Sequence, residues 1–296
     1  MIDLLSVTWN VDPIIFKLGP LTLRWYSLLF VAGFPLGYWF FIKFYKREGL
    51  DTKLLEPLLY ALLIGTIVGA RLGHCLFYEP SYYLSKAHWV EIFKPWKGGL
   101  ASHGGAIGVM LGGWWYAHRY GRTRNFDTIW VFDRIVIAVA FAGCFIRLGN
   151  LFNSEIYGKV TDLPWGFIFE HRGETLPKHP TQIYEALTYL LLGIFLARDY
   201  QKNLDKRYRG WFIGIFFIVC FGMRSLIEFI KEPQVAFEEN MTFDMGQLLS
   251  VPFILAGIAF VVMAYVRKVP ARRVEPEKTN YRPLPKEQRE AQKKTK

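Results

Sequence analysis

Seven long apolar runs divide this chain, at roughly residues 25–42, 55–78, 100–117, 128–148, 181–197, 211–230 and 244–266. Each approaches the ~20 residues that carry an α-helix across the hydrocarbon of a bilayer. In lipid the backbone must satisfy its own hydrogen bonds, so such runs are expected as helices. The pattern therefore predicts an all-α polytopic membrane protein with about seven transmembrane helices. The third run is interrupted by Gly104, Gly105, Gly108, Gly112 and Gly113, which in a membrane let a neighbouring helix approach closely. Residues 149–180 mix Gly, Pro and aromatics with strand-like pieces such as Trp165-Gly-Phe-Ile-Phe and are expected to form a small head. Residues 1–24 read as extended, with turns at Pro13 and at Gly19-Pro20. The expected division is a membrane domain over 1–266 and a basic, disordered tail over 267–296, rich in Pro, Lys and Glu.

Charge gives the runs a direction. Lys and Arg follow the first, third, fifth and seventh runs, twenty-three in all counting the tail, while the opposite loops and the N-terminal segment hold nine. Cytoplasmic loops carry the excess of Lys and Arg, so the N-terminus is expected outside and the C-terminus in the cytoplasm. The first cation is Lys17 and the first run starts only at Trp25. The charged n-region of a cleavable signal peptide is absent, and the first span is expected to remain as an anchor.

Composition sharpens this picture in two ways. Aromatics make up 17% of the chain, which suits belts at the two membrane interfaces. The formal charge is +11, but its confinement to one set of loops and the tail argues against nucleic acid as partner. Cys75, Cys144 and Cys220 all lie within apolar runs without metal-binding or disulfide spacing. No metal and no cofactor is expected.

The candidate chemistry lies in ionisable residues inside the runs, where charge is costly and usually functional. On the predicted topology Tyr26, Arg71, His74, His103, Arg147, Asn150, Asn153, Gln182, Tyr184, Glu185, Arg224 and Glu228 all fall towards the outer face. Asp133 and Arg134 fall at the cytoplasmic end, in a separate role. Plainer readings exist: Arg224 and Glu228, four apart, can neutralise one another on one helix face, and Arg147 can snorkel to the headgroups. Taken together, guanidinium groups that pair bidentately with phosphate and a histidine able to take a proton point to a phospholipid headgroup. This reading ends at an enzyme or a carrier acting on a phospholipid of the outer leaflet, with a non-catalytic scaffold as the third possibility.

Six ordered stretches carry a resemblance. They are Arg24-Trp-Tyr-Ser, Gly69-Ala-Arg-Leu-Gly, Gly98-Gly-Leu-Ala-Ser-His-Gly-Gly-Ala-Ile-Gly, Arg147-Leu-Gly-Asn-Leu-Phe-Asn-Ser-Glu-Ile-Tyr-Gly, His179-Pro-Thr-Gln-Ile-Tyr-Glu-Ala and Arg224-Ser-Leu-Ile-Glu-Phe-Ile-Lys-Glu-Pro. The chain resembles the bacterial prolipoprotein diacylglyceryl transferases over residues ~20–266. The resemblance implies an enzyme of the inner membrane with its site towards the periplasm. It implies transfer of the diacylglyceryl group of phosphatidylglycerol to the lipobox cysteine of a preprolipoprotein signal peptide, giving a thioether and glycerol 1-phosphate. His103 is similar to the family's histidine base, and Arg147 and Arg224 to its phosphate-holding arginines. Tyr26, Asn150, Glu155, Gly158 and Glu228 match further positions. Arg71, Asn153, Tyr184 and Glu185 join the substrate-binding set through their place in the same layer. One departure is Arg134-Ile-Val after Asp133, where the family usually has Ala-Pro; it is expected to change the packing there.

Overall fold

A computed structural model describes residues 6–19, 21–85, 87–95, 98–232 and 244–273. Seven long helices match the seven runs. They are α1 (Trp25–Arg47), α2 (Leu55–Phe77), α4 (Ser102–Tyr120), α5 (Thr128–Phe152), α6 (Thr181–Asn203), α7 (Trp211–Glu228) and α8 (Met245–Arg267), with a four-residue α3 (Pro80–Tyr83) after α2. The 23 residues of α2 span ~35 Å at 1.5 Å per residue, more than the ~30 Å hydrocarbon core. The helices containing α1, α2, α5, α7 and α8 are long and apolar enough to cross a membrane. The α4 helix falls short because His103, His118 and Arg119 stand among its glycines, and α6 because Gln182 and Glu185 open it and Arg198, Asp199 and Lys202 close it. The tail was expected to be disordered from residue 267, but Ala271 and Arg273 are buried against Arg134 and Glu48; the part beyond Arg273 lies outside the described residues.

The glycines of α4 do what their spacing predicted. They bring α4 against α2 until a Cβ on Gly108 would collide with the carbonyl of Gly65, and one on Gly104 with that of Gly69. Only hydrogen fits between these backbones, which is how small residues bind membrane helices together. The main core forms where α1, α5, α6 and α7 meet, around the fully buried Tyr45, Trp130, Ile137, Leu196, Tyr200 and Phe212.

The predicted head is present. Strand β1 (Val7–Trp9) pairs in parallel with β4 (Phe167–Phe169), and β2 (Ile14–Leu18) forms an antiparallel hairpin with β3 (Leu21–Arg24) that runs directly into α1. Trp9 fastens the head to the bundle: its indole N–H donates to Leu151 O at 3.0 Å and its ring meets Phe152. Trp25 stacks on Phe152 with centroids 4.9 Å apart. The start of α1 and the end of α5 are thereby fixed side by side.

At the opposite end, Glu48 is a buried hub. Its carboxylate accepts from Arg134 Nη2 at 2.7 Å, from Trp130 Nε1 at 3.0 Å, from Tyr200 Oη and from Arg273 N at 2.8 Å. Burial alone would raise the Glu48 pKa; the Arg134 charge and these hydrogen bonds outweigh it and hold the carboxyl below its usual range. Asp133 turns the other way and accepts from the backbone N–H of Gly210 and Ile213, capping α7. The Asp133-Arg134 pair therefore has the separate role read from the sequence: one residue fixes α7, the other ties α5 to Glu48.

Candidate active site at the head end of the bundle

The stretch after Arg147 carries most of the site, and its backbone is unusual. Ser154 and Ile156 adopt φ of 50° and 61°, the left-handed region that costs an L-residue ~1–2 kcal/mol and is rare for a β-branched one. The surroundings hold this conformation by its carbonyls. Arg172 Nε donates to Ser154 O at 2.9 Å, Gln182 Nε2 to Glu155 O at 2.7 Å, and Thr181 Oγ1 to Ile156 O at 2.8 Å. Strain of this kind persists only where the structure over-determines it, and it gathers at functional sites. Here it aims Glu155 inward, where Asn150 and Asn153 donate to Glu155 Oε1 at 2.7 and 3.2 Å.

Gly158 closes the stretch. Its backbone bridges Lys231, Gly158 N donates to His179 O at 2.8 Å, and Lys159 N to Ile230 O at 2.8 Å. A Cβ at Gly158 would strike Ile230 O and come within 2.8 Å of the side chains of His179 and Thr181. Gly158 thus sits at a three-way contact between the stretch, the start of α6 and the end of α7.

Arg147, late in α5, lies with its Nε 3.0 Å from Glu185 Oε2 on α6. The other oxygen of Glu185 accepts from Lys231 Nζ at 3.0 Å, and Lys231 also donates to Glu228 Oε2 at 3.2 Å. Glu185, Lys231 and Glu228 are all buried, and the Arg147 side chain is 12% exposed. Glu228 is therefore matched by Lys231 rather than by Arg224, which disposes of the plain reading of an Arg224–Glu228 pair. Arg224 forms no ion pair or hydrogen bond with the described residues. It lies near Tyr189 of α6, which is in the electric field of Arg147, Glu185 and Arg224 together. Tyr26 packs on Gly149 in the field of Glu155 and Arg147. Asn153 Oδ1, Ser154 Oγ and Gln182 Oε1 are buried without a partner among the described residues, so this pocket of polar groups has unused hydrogen-bonding capacity.

The remaining sequence-selected residues stand in two other places. Tyr184 is at the edge of the head, where Trp165 Nε1 donates to its hydroxyl at 2.9 Å and His179 Nδ1 lies 3.3 Å away. Arg71, His74 and His103 form an aromatic corner at the ends of α2 and α4. His103 is exposed, with its ring against Phe77 and Tyr78 at 5.7 Å each, and His74 stacks on the other side of the corner. Arg71 makes four hydrogen bonds to carbonyls of the loop before α4: Glu91, Ile92, Gly98 and Gly99, at 2.5 to 3.1 Å. Its guanidinium is chiefly committed to shaping that loop.

Sequence reasoning passed over Lys231 and Tyr189. Lys231 was counted only as a loop cation, and Tyr189 reads as filler in an apolar run. The Lys231 position three residues after Glu228 is one helical turn, and that spacing was the available signal. Arg147 is paired with an acid on the next helix, Glu185.

A family model described as prolipoprotein diacylglyceryl transferase matches residues 13–263. A protein of Tolumonas auensis named phosphatidylglycerol--prolipoprotein diacylglyceryl transferase is 46% identical over 260 residues, covering 88% of this chain and 98% of its own. Proteins of the same name from Porphyromonas gingivalis and Bacteroides fragilis are 44% and 42% identical, covering 87% of this chain and 94% and 95% of theirs. With the family model spanning the site stretch and relatives this similar over nearly their whole length, the chain belongs to the prolipoprotein diacylglyceryl transferase family of enzymes.

Proposed function

We propose that this protein transfers the diacylglyceryl group of phosphatidylglycerol to the lipobox cysteine of a preprolipoprotein. The observation that carries this reading is Arg224, a guanidinium in α7 without a protein carboxylate among the described residues, beside the same tyrosine as Arg147. Two arginines so arranged suit the single negative charge of a lipid phosphodiester.

In the reaction the thiolate sulfur attacks the glyceryl carbon that carries the phosphate ester. A C–S bond forms, the C–O bond breaks, and its electron pair leaves on phosphate oxygen as glycerol 1-phosphate. Negative charge grows on the phosphate as the bond lengthens, so Arg147 and Arg224 stabilise the transition state more than the bound lipid. Glu185 orients Arg147, while Asn150, Asn153, Glu155 and Tyr26 offer polar groups to the glyceryl and ester oxygens. His103 receives the thiol proton: it is exposed and holds no hydrogen bond to the described residues, leaving its ring nitrogens available. Arg71 and Tyr184 border the substrates, Arg71 through the loop it shapes.

This places all seven long helices across the bacterial inner membrane, with the N-terminus and head in the periplasm and the C-terminus in the cytoplasm. The loop charges support it, as does the gathering of the site residues at the head end. The deciding experiment combines purified protein, phosphatidylglycerol and a lipobox peptide. Thioether-linked diacylglyceryl peptide is the expected product; its absence where a positive control succeeds rejects the proposal.

A further inference from the structure

We infer that Lys231 is a positioning residue that sets the charge of the lipid-phosphate site through Glu185. The proposal rests on the transferase reading above. Lys231 is held on both sides. Its backbone bridges Gly158 at the end of the strained stretch, and its ammonium reaches Glu185 Oε1 at 3.0 Å and Glu228 Oε2 at 3.2 Å with the side chain 2% exposed. Glu185 divides its carboxylate between Lys231 and the Nε of Arg147. Two cations and two anions then balance within one buried chain, Arg147–Glu185–Lys231–Glu228.

The consequence for Arg147 is specific. Glu185 lies 3.0 Å from Nε, Nη1 reaches Asn150 Oδ1 at 3.5 Å, and the guanidinium also hydrogen-bonds Tyr189. Its remaining N–H groups are left for a ligand. Without the lysine, two buried carboxylates would face one guanidinium. Both would draw on Arg147, and the excess negative charge would oppose a phosphodiester in a medium that screens poorly. Lys231 touches neither phosphate nor thiol in this account; it acts on lipid affinity through the carboxylates it neutralises.

The test uses the full-length protein in nanodiscs, with KM for phosphatidylglycerol and kcat measured separately. Lys231→Met is expected to raise KM about tenfold while kcat changes less than about threefold, as loss of an interaction common to bound and transition states requires. Lys231→Arg, which keeps the charge, should restore most of the loss. If Lys231→Met does not accumulate, Lys231→Gln carries the test: a tenfold rise in KM supports the inference and a KM near the parent overturns it. A fall in kcat with KM unchanged, or a Lys231→Arg variant no better than Lys231→Met, also overturns it. Should the parent protein form no thioether, the transferase reading fails. The role of Lys231 is then read from thermal stabilisation by phosphatidylglycerol, which should exceed that by phosphatidylcholine in the parent and lose that excess in Lys231→Met.

Discussion

Glu185 stands between Arg147 and Lys231, with one carboxylate oxygen 3.0 Å from each cation. Removing its charge leaves Arg147 buried without an acid. Glu185→Gln is therefore expected to lower thermal stability by about 3–5 kcal/mol, the cost of breaking a buried pair from one side, and to lower kcat/KM at least about tenfold. Unfolding followed by intrinsic fluorescence and product formation by mass spectrometry measure the two effects.

Ser154 combines a left-handed backbone with a buried hydroxyl that has no partner among the described residues. Ser154→Gly relieves both and adds only the entropy of glycine in the unfolded chain. A stabilisation of about 1 kcal/mol is expected, seen as a higher unfolding midpoint. An unchanged or lower midpoint would show that the hydroxyl is held by something outside the protein, such as ordered water.

The head should fail from both ends of the pH scale. Burial pushes the Tyr157 phenol up to about 12, with Glu174, its hydrogen-bond acceptor at 2.7 Å, adding to the rise. Its contribution is complete below pH 10 and disappears as pH climbs through about 12. Glu174 is shifted the other way. Burial would raise its pKa, but hydrogen bonds from Lys178 and Tyr157 hold it below its usual 4.5. Its contribution is complete above that value and is lost as pH falls below it. Amide hydrogen exchange at Phe167–Phe169 across pH should show protection highest between these limits; flat protection through pH 4.5 would contradict the account.

Glu48 is the counterpart of Glu185 at the end of the bundle opposite the head. Glu48→Gln should cost about 3–5 kcal/mol of stability and, in the fraction that folds, leave KM for phosphatidylglycerol unchanged. A raised KM with normal stability would mean that the hub acts on the site.

Hydropathy placed the helices well because in a membrane it reports burial in lipid directly. The runs at 25–42 and 100–117 became α1 over Trp25–Arg47 and α4 over Ser102–Tyr120, their ends extended by turns whose polar side chains leave the apolar window. Trp165-Gly-Phe-Ile-Phe showed the period of a strand and holds β4, but its pairing with β1, some 160 residues earlier, was invisible because pairing between distant segments leaves no local trace. Within the site, Arg147, Glu185 and Arg224 were legible as costly charges, while Glu155 was marked only by the family resemblance. The acceptors that occupy Arg71 are backbone carbonyls, which every residue possesses and no sequence pattern distinguishes. The same holds for Ile156, whose left-handed backbone is imposed by Thr181 and Gln182 rather than by its own preference.

The central claim is that Arg147 and Arg224 grip one lipid phosphate. A structure of the protein with phosphatidylglycerol bound measures this most directly. The account predicts phosphate oxygens within hydrogen-bonding distance of both guanidinium groups, with Glu185 still on Arg147. A headgroup seated instead in the corner of Arg71 and His74, with Arg224 unoccupied, would contradict it.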